Sequence, residues 1–259
     1  MSRIRFVSVA LLAALLVPVF NAFPATAAPL PKVAASTTLD LPWIALRPDD
    51  AGPGYRRDRA LYQSLSAAAE LTYSEGPELT ALVDGMVLAG WQAAYFAQTE
   101  LPTVDDPFLV ARRVNAVIHE YADVEGGIQG QFLLAAAHTA KGDIPSGEIV
   151  AAGDEAVLFE NSGNAFQGGG APSAPYQGLR LIFRTGELVG NVSIQYFTET
   201  PTAADIEIVA MAMIDRIAAA QAGQAPDLSL AVARFDPAGL RQLGDQYRLI
   251  DGATVPRVG

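Results

Sequence analysis

The chain of 259 residues contains no cysteine and only two histidines, His119 and His138. Without cysteine there are no disulfides, no thiolate nucleophile, no sulfur-ligated metal and no lipid anchor through a lipidated Cys. Basic residues are also scarce: 17 Lys and Arg against 28 Asp and Glu, for a formal charge of −11. A chain this acidic is repelled by nucleic acid and anionic lipid, and neither is expected as a partner. Lysine occurs only as Lys32 and Lys141; with abundant Ala and Arg, that usage looks bacterial.

Long apolar runs are nearly absent too. The one exception is Phe6 to Phe20, which has 15 residues and falls short of the ~20 a spanning helix needs. Arg3 and Arg5 precede it, and Ala25-Thr26-Ala27 follows as a small-x-small site. This is the layout of an export signal: basic start, apolar middle, cleavable end. Residues 1–27 are therefore expected to be a signal peptide cleaved after Ala27. The mature protein is expected to be secreted or extracytoplasmic, with no integral membrane span. The alternative is a leader kept as an N-terminal anchor. Arg3 and Arg5 are not adjacent, which argues against a twin-arginine signal.

The rest is long enough for one large domain that buries its own core. Residues 28–40 are small, polar and Pro-containing and predict a flexible spacer. Residues 41–222 carry the periodic segments and predict the folded domain, and residues 223–259 an extended arm. Leu41–Leu46 is expected to be extended, and Leu61–Leu71 to be a helix. Gly90–Gln98 and Ala111–Tyr121 alternate as strands. Asp123 stands where an N-cap belongs, ahead of a helix over Val124–His138. Glu155–Glu160 predicts a buried strand and Ser162–Gln177 a loop with Gly168, Gly169 and Gly170 in series. Leu179–Arg184, the turn at Thr185-Gly186, and Leu188–Tyr196 predict a hairpin. Thr202 and Asp205 form a capping box for a last helix with a wide apolar face. The fold class expected is α+β: a two-layer sandwich with a largely antiparallel sheet and helices on one face.

Asp40–Gly52 (DLPWIALRPDDAG) and Asp227–Gly239 (DLSLAVARFDPAG) match at six of thirteen positions. Either the match is chance, or two equivalent extended arms flank the core and add strands to sheet edges.

No residue pattern specifies a reaction. His119-Glu120 begins like H-E-x-x-H, but Asp123 stands where the second His belongs, and on a strand the two side chains point to opposite faces. His119 is expected on a sheet face with Glu120 solvated. His138 is expected near a helix end, as an imidazolium facing free carbonyls. Neither G-x-S-x-G nor S-x-x-K occurs, Ser146 sits in a turn, and the acidic pairs lack calcium-loop spacing. Asn191-Val192-Ser193 matches a glycosylation sequon but falls within a strand. No catalytic, cofactor-binding or metal-ligating residues are assigned, and no cofactor is expected. The one local inversion of charge is Arg56, Arg57 and Arg59, whose guanidinium forks suit carboxylate or phosphate. With the aromatic Trp91 and Tyr95 they are the candidate ligand-contacting residues; surface pairing and core packing are their ordinary roles.

The order of short motifs resembles a group of exported bacterial α+β proteins, of the extracytoplasmic sensor-like and lipoprotein kind. It rests on Gly90-Trp91 with Tyr95, Tyr121-Ala122-Asp123, Gly153-Asp154-Glu155-Ala156, Arg184-Thr185-Gly186, Val192-Ser193 and Asp215-Arg216-Ile217. The resemblance implies export and an α+β domain, with no catalytic residues to carry over. The lipoprotein members' lipidation Cys is missing here.

The expected function is a non-enzymatic secreted or surface-associated binding domain, whose partner is a protein, an envelope component or a small ligand. The alternatives are an envelope hydrolase with a dispersed acid/base or serine site around His119 or Ser146, and an assembly protein using terminal arms. Oligomeric state is left open.

Overall fold

A computed structural model describes residues 39–73, 75–167 and 173–224, together with the backbone of 247–250 and 253–256. The export signal, nearly all of the spacer, the three glycines and most of the C-terminal arm lie outside the described residues. So does the second copy of the internal echo.

The first copy is not extended. Leu41–Ile44 forms a helical turn, α1, and Pro48–Ala51 another, α2. Asp40 accepts from the Trp43 N–H at 3.3 Å, and the Asp50 carboxylate accepts from the Arg47 N–H at 2.7 Å. These local bonds close the turns, while Leu41, Ile44 and Leu46 sink into the core. An equivalent extended arm is thereby ruled out at this end.

Strand β1 (Arg56–Gln63) follows, then helix α3 (Leu65–Glu70), capped by Ser64. The helix expected from Leu61 thus begins after the Ser64 cap. Helix α4 (Pro77–Leu88) had no counterpart in the sequence reading. Its signals were Pro77 in the first turn and Leu79, Leu82, Val83 and Met86 at helical spacing. Strands β2 (Trp91–Pro102) and β3 (Val110–Tyr121) fall where alternation placed them. Helix α5 (Val124–Lys141) starts at Asp123, whose carboxylate accepts from the Gly126 N–H at 2.8 Å. Then come β4 (Ile144–Pro145), β5 (Glu155–Phe166), β6 (Ser173–Thr185), β7 (Leu188–Tyr196) and α6 (Ala203–Gln221). The stretch expected as a loop over Ser162–Gln177 is largely strand: β5 and β6 pair from Glu155↔Arg184 out to Phe166↔Ser173. The β6–β7 hairpin turns at Gly186, with φ at +61°. The Asp205 carboxylate accepts from the Thr202 N–H and the Thr202 side chain accepts from the Asp205 N–H, the two bonds of a capping box; the Thr202 hydroxyl also lies 2.7 Å from the same carboxylate. Two short strands, β8 (Tyr247–Ile250) and β9 (Ala253–Pro256), pair antiparallel within the expected arm.

The main sheet has the order β1-β2-β3-β7-β6-β5-β4, and every neighbouring pair is antiparallel. This is the expected α+β class. The helices, however, divide between both faces rather than gathering on one. On one side Val114, Ile118, Leu181, Phe183, Val192 and Ile194 pack under α6 and α1. On the other, Tyr121, Phe159, Ile182 and Val189 pack against Leu134 of α5, and α3 and α4 join α5 there. The central strands therefore need cover on both faces, although one set of alternate positions is partly polar. Tyr121 lies so close under α5 that a Cβ at Gly130 would come within 2.1 Å of its ring. No helix among the described residues is long and apolar enough to cross a membrane.

Arg216 of α6 ties the N-terminal turns down. Its Nε donates to the Ile44 carbonyl at 3.1 Å and Nη2 to the Ala45 carbonyl at 3.0 Å. Nη1 and Nη2 reach the two Asp50 oxygens at 2.8 and 2.6 Å. Arg216→Ala should cost about 2 kcal/mol, because it strands a mostly buried Asp50 carboxylate and two carbonyls. Urea unfolding checks this: an unchanged midpoint would mean the clamp carries no weight.

Candidate functional site

The five residues singled out from sequence do not converge. Arg56, Arg57 and Arg59 lie on the exposed edge strand β1. Arg56 donates to the Pro107 carbonyl at 2.6 Å. Arg57 lies on the sheet face of Tyr95, where burial lowers its pKa against the opposing pull of Tyr95 and Asp50. Tyr95 is half-buried and meets Tyr62 edge-on at 5.1 Å. Trp91 sits at the other end of β2 and donates from Nε1 to His119 Nδ1 at 3.4 Å. None of the five lines either of the two cavities described below.

His119 is on a sheet face as expected, and burial lowers its pKa to about 4. Glu120 is not solvated: it is 3% exposed, and its Oε2 has no partner among the described residues. The sequon falls in β7 with both Asn191 and Ser193 buried, so it cannot be modified in the folded state.

The group that sequence reading passed over is a buried polar network under α5. His138 is fully buried, and its Nδ1 lies 3.0 Å from Asp143 Oδ2. Arg180 Nε donates to the same oxygen at 3.1 Å, and Arg180 Nη1 donates to Asn191 Oδ1 at 3.0 Å. That second bond turns the Asn191 amide nitrogen toward His138 Nε2, 3.3 Å away. Nε2 is then the acceptor, and Nδ1 carries the proton, close to Asp143 but poorly aligned for a hydrogen bond to it. Thr72 Oγ1 stands 3.5 Å from the same Nε2. Burial lowers the His138 pKa to about 4, with Arg180 adding to it and Asp143 opposing. The ring is therefore neutral at pH 7, which overturns the expected imidazolium at the helix end. Burial alone would raise the Asp143 pKa, but His138 and Arg180 together hold it below the ordinary range.

The sequence signal was present but scattered. Thr72, His138, Asp143, Arg180 and Asn191 come from four separate segments. Arg180 and Asn191 occupy alternate strand positions that elsewhere face water.

The network backs onto a cavity of about 710 Å³ at the β4–β5–β6 edge, a size typical of small-molecule sites. Asp143 reaches its wall from the turn after α5, and Arg180 from β6. Ser162, Tyr176 and Gln177 line it from the strands, and Thr202 from the start of α6. Ser146, considered above as a nucleophile, lies on this wall, where its Oγ accepts from the Glu148 N–H. Asn161 also lines the cavity, but its amide oxygen and nitrogen are shielded behind that wall, the oxygen against Gly178, with no hydrogen-bond partner among the described residues. Each such shielded atom costs about 1–3 kcal/mol. A second cavity of about 280 Å³ adjoins and shares Tyr176, Gln177 and Thr200 with the first. Phe197 and Tyr196 line it. Arg112 lies over the Tyr196 ring and Arg113 over Phe197, at 4.5 and 5.7 Å from the ring centroids. Among the described residues no cluster of acidic or histidine side chains is arranged to hold a metal ion.

No protein-family model matches the chain, and no curated protein matches it. Among solved structures, it is similar to the extracellular domain of PknH from Mycobacterium tuberculosis. The identity is 9% and the TM-score 0.46, over 69% of this chain and 94% of that one.

Proposed function

We propose that the protein is an exported, non-enzymatic binding domain whose ligand occupies the cavity at the β4–β5–β6 edge. The observation that carries this reading is a preformed polar cavity whose wall is held by a buried, hydrogen-bonded network. Arg180, Asp143 and Asn191 hold one another in place, so the ligand meets a rigid wall and little ordering is lost on binding. Export rests on the leader, with residues 28–40 as a spacer, 41–222 as the folded domain and 223–259 as an arm.

The hydrolase alternative has one supporting observation: Asp143, His138 and Thr72 follow in the order of a catalytic triad. Burial argues against it. His138 is 0% and Thr72 2% exposed, and neither lines the cavity, so the hydroxyl has no route to a substrate carbonyl.

The test is to recover the secreted protein from its own host and identify what is released on denaturation by mass spectrometry. Ser162→Trp fills the cavity from an exposed strand position. The expected result is one small molecule that accompanies the wild type and is lost from this variant. Hydrolysis of ester or glycoside probes that disappears with Thr72→Val would replace the binding reading with the enzymatic one.

A further inference from the structure

The two edges of the main sheet differ. The β4 edge is two residues long and carries Pro145, which has no N–H to offer a neighbouring strand. The β1 edge is eight residues long and free of proline. Among the described residues nothing pairs with its outer side. From Arg59 to Gln63 its register with β2 is regular, past the irregularity between Arg57 and Arg59. Leu61 and Tyr62 on this stretch are 41% and 59% exposed. Such an edge is a template for a further strand. The chain also carries an element that needs one. Among the described residues β8 and β9 pair with each other and with no other strand, and a lone two-stranded hairpin is marginal in water. Pro256 suits β9 to an outer position, because proline sits on sheet edges. That leaves β8 to do the pairing, and its four residues fit the regular part of β1.

Topology sets the direction. The end of α6 lies beside the β6–β7 turn, where a Cβ added at Gly186 would stand 3.4 Å from Gln221 Nε2. At that end of the sheet Leu188 pairs with Glu120, Glu120 with Ala93, and the adjoining Ala94 with Gln63. The chain therefore leaves α6 at the end where β1 finishes. Strand β1 is three strands from β7, or about 15 Å. Residues 222–246 join α6 to β8, and about 25 residues reach up to about 80 Å. A strand entering at the Gln63 end runs antiparallel to β1. Two registers then keep β8 on Arg59–Gln63. One sets Arg248 opposite Leu61 and Ile250 opposite Arg59. The other sets Leu249 opposite Leu61 and Arg248 opposite Tyr62, pairing apolar with apolar and cation with ring, and is the better matched.

We propose that the β8–β9 hairpin adds to the β1 edge of its own chain in that register, extending the sheet to the order β9-β8-β1-β2. The tether favours the chain's own edge, because it holds β8 there at an effective concentration far above that of a second copy. The absence of cysteine makes the test clean. Two double variants of the secreted protein are oxidised mildly: Leu61→Cys with Leu249→Cys, and Tyr62→Cys with Arg248→Cys. Opposed residues of antiparallel strands lie about 4.5–5.5 Å apart between Cα atoms, within the disulfide range of about 4.4–6.8 Å. At least one pair should close within a monomer, read as loss of free thiol by mass spectrometry. Thr254 pairs with Leu249, so the proposal sets it one strand farther from Leu61, at about 10 Å. Leu61→Cys with Thr254→Cys should therefore close at least about tenfold more slowly. Closure of neither test pair, an equal rate for the Thr254 pair, or disulfide-linked dimers in place of closed monomers would each overturn the proposal.

Discussion

Lowering the pH from 7 to 4.5 should remove about 5 kcal/mol of folding stability, enough to unfold much of the population of an ordinary domain. The cause is two buried, neutral histidines. His119 and His138 each have a folded pKa of about 4 against an ordinary 6.5, and burial is the largest cause for both. Below pH 6.5 the unfolded chain takes up protons that the folded chain refuses, so falling pH favours unfolding. Their contribution is complete above about pH 6.5 and is lost as pH falls toward 4, where the folded rings also protonate. With two groups titrating together, the slope approaches about 2.7 kcal/mol per pH unit. The depressed Asp143 carboxyl extends the loss to lower pH. Glu120 and Asp40, whose pKa values burial raises, oppose it, since their folded forms accept protons first. Urea midpoints at pH 7.5, 6.5, 5.5 and 4.5 measure the effect. His138→Gln should lower stability at pH 7.5 yet flatten the slope by about half. A midpoint that holds steady from pH 7.5 to 4.5 would mean the rings are not buried neutral.

Arg180→Ala should cost about 4 kcal/mol, within the range for removing one partner of a buried ion pair. The substitution leaves Asp143 without its guanidinium and Asn191 Oδ1 without a donor. It also frees the Asn191 amide to rotate, so His138 Nε2 loses its fixed donor. Two readouts separate this from simple loss of packing. Asp143→Asn in the Arg180→Ala background should recover about 2 kcal/mol, because the stranded charge is then gone. The His138 pKa should rise, since Arg180 lowers it and Asp143 raises it. A double variant as unstable as the sum of the two single ones would show that the pair is not coupled. An unmoved His138 titration would remove Arg180 from the network.

These two predictions fall on residues that a sequence reading treats as ordinary. Alternation placed Arg180 and Asn191 on the polar side of their strands, and polar alternates are usually read as a solvent face. Here α5 covers that side, so the polar set becomes an interior network. The same assumption put all helices on one face. Covering both faces buries His119, Glu120, Asn191 and Ser193 alike.

What the sequence determined by itself is what local physics controls. Period-two alternation located β2, β3, β6 and β7. Side-chain caps at Asp123 and Thr202 started α5 and α6. The Thr185-Gly186 turn set the hairpin register, and the antiparallel α+β class followed. The composition excluded disulfides and thiolate chemistry. What only the tertiary structure decided depends on contacts between distant segments. Layer number depends on which helix crosses which face. The expected extended segment Leu41–Leu46 is instead a helical turn capped locally by Asp40, and Arg216, 172 residues from Ile44, decides where that turn is held. Thr72, His138, Asp143, Arg180 and Asn191 met because strand pairing and helix packing brought four segments within hydrogen-bond reach. The cavity beside them is lined by residues from the end of α5, β4, β5, β6 and the start of α6, and no single stretch of sequence encodes it.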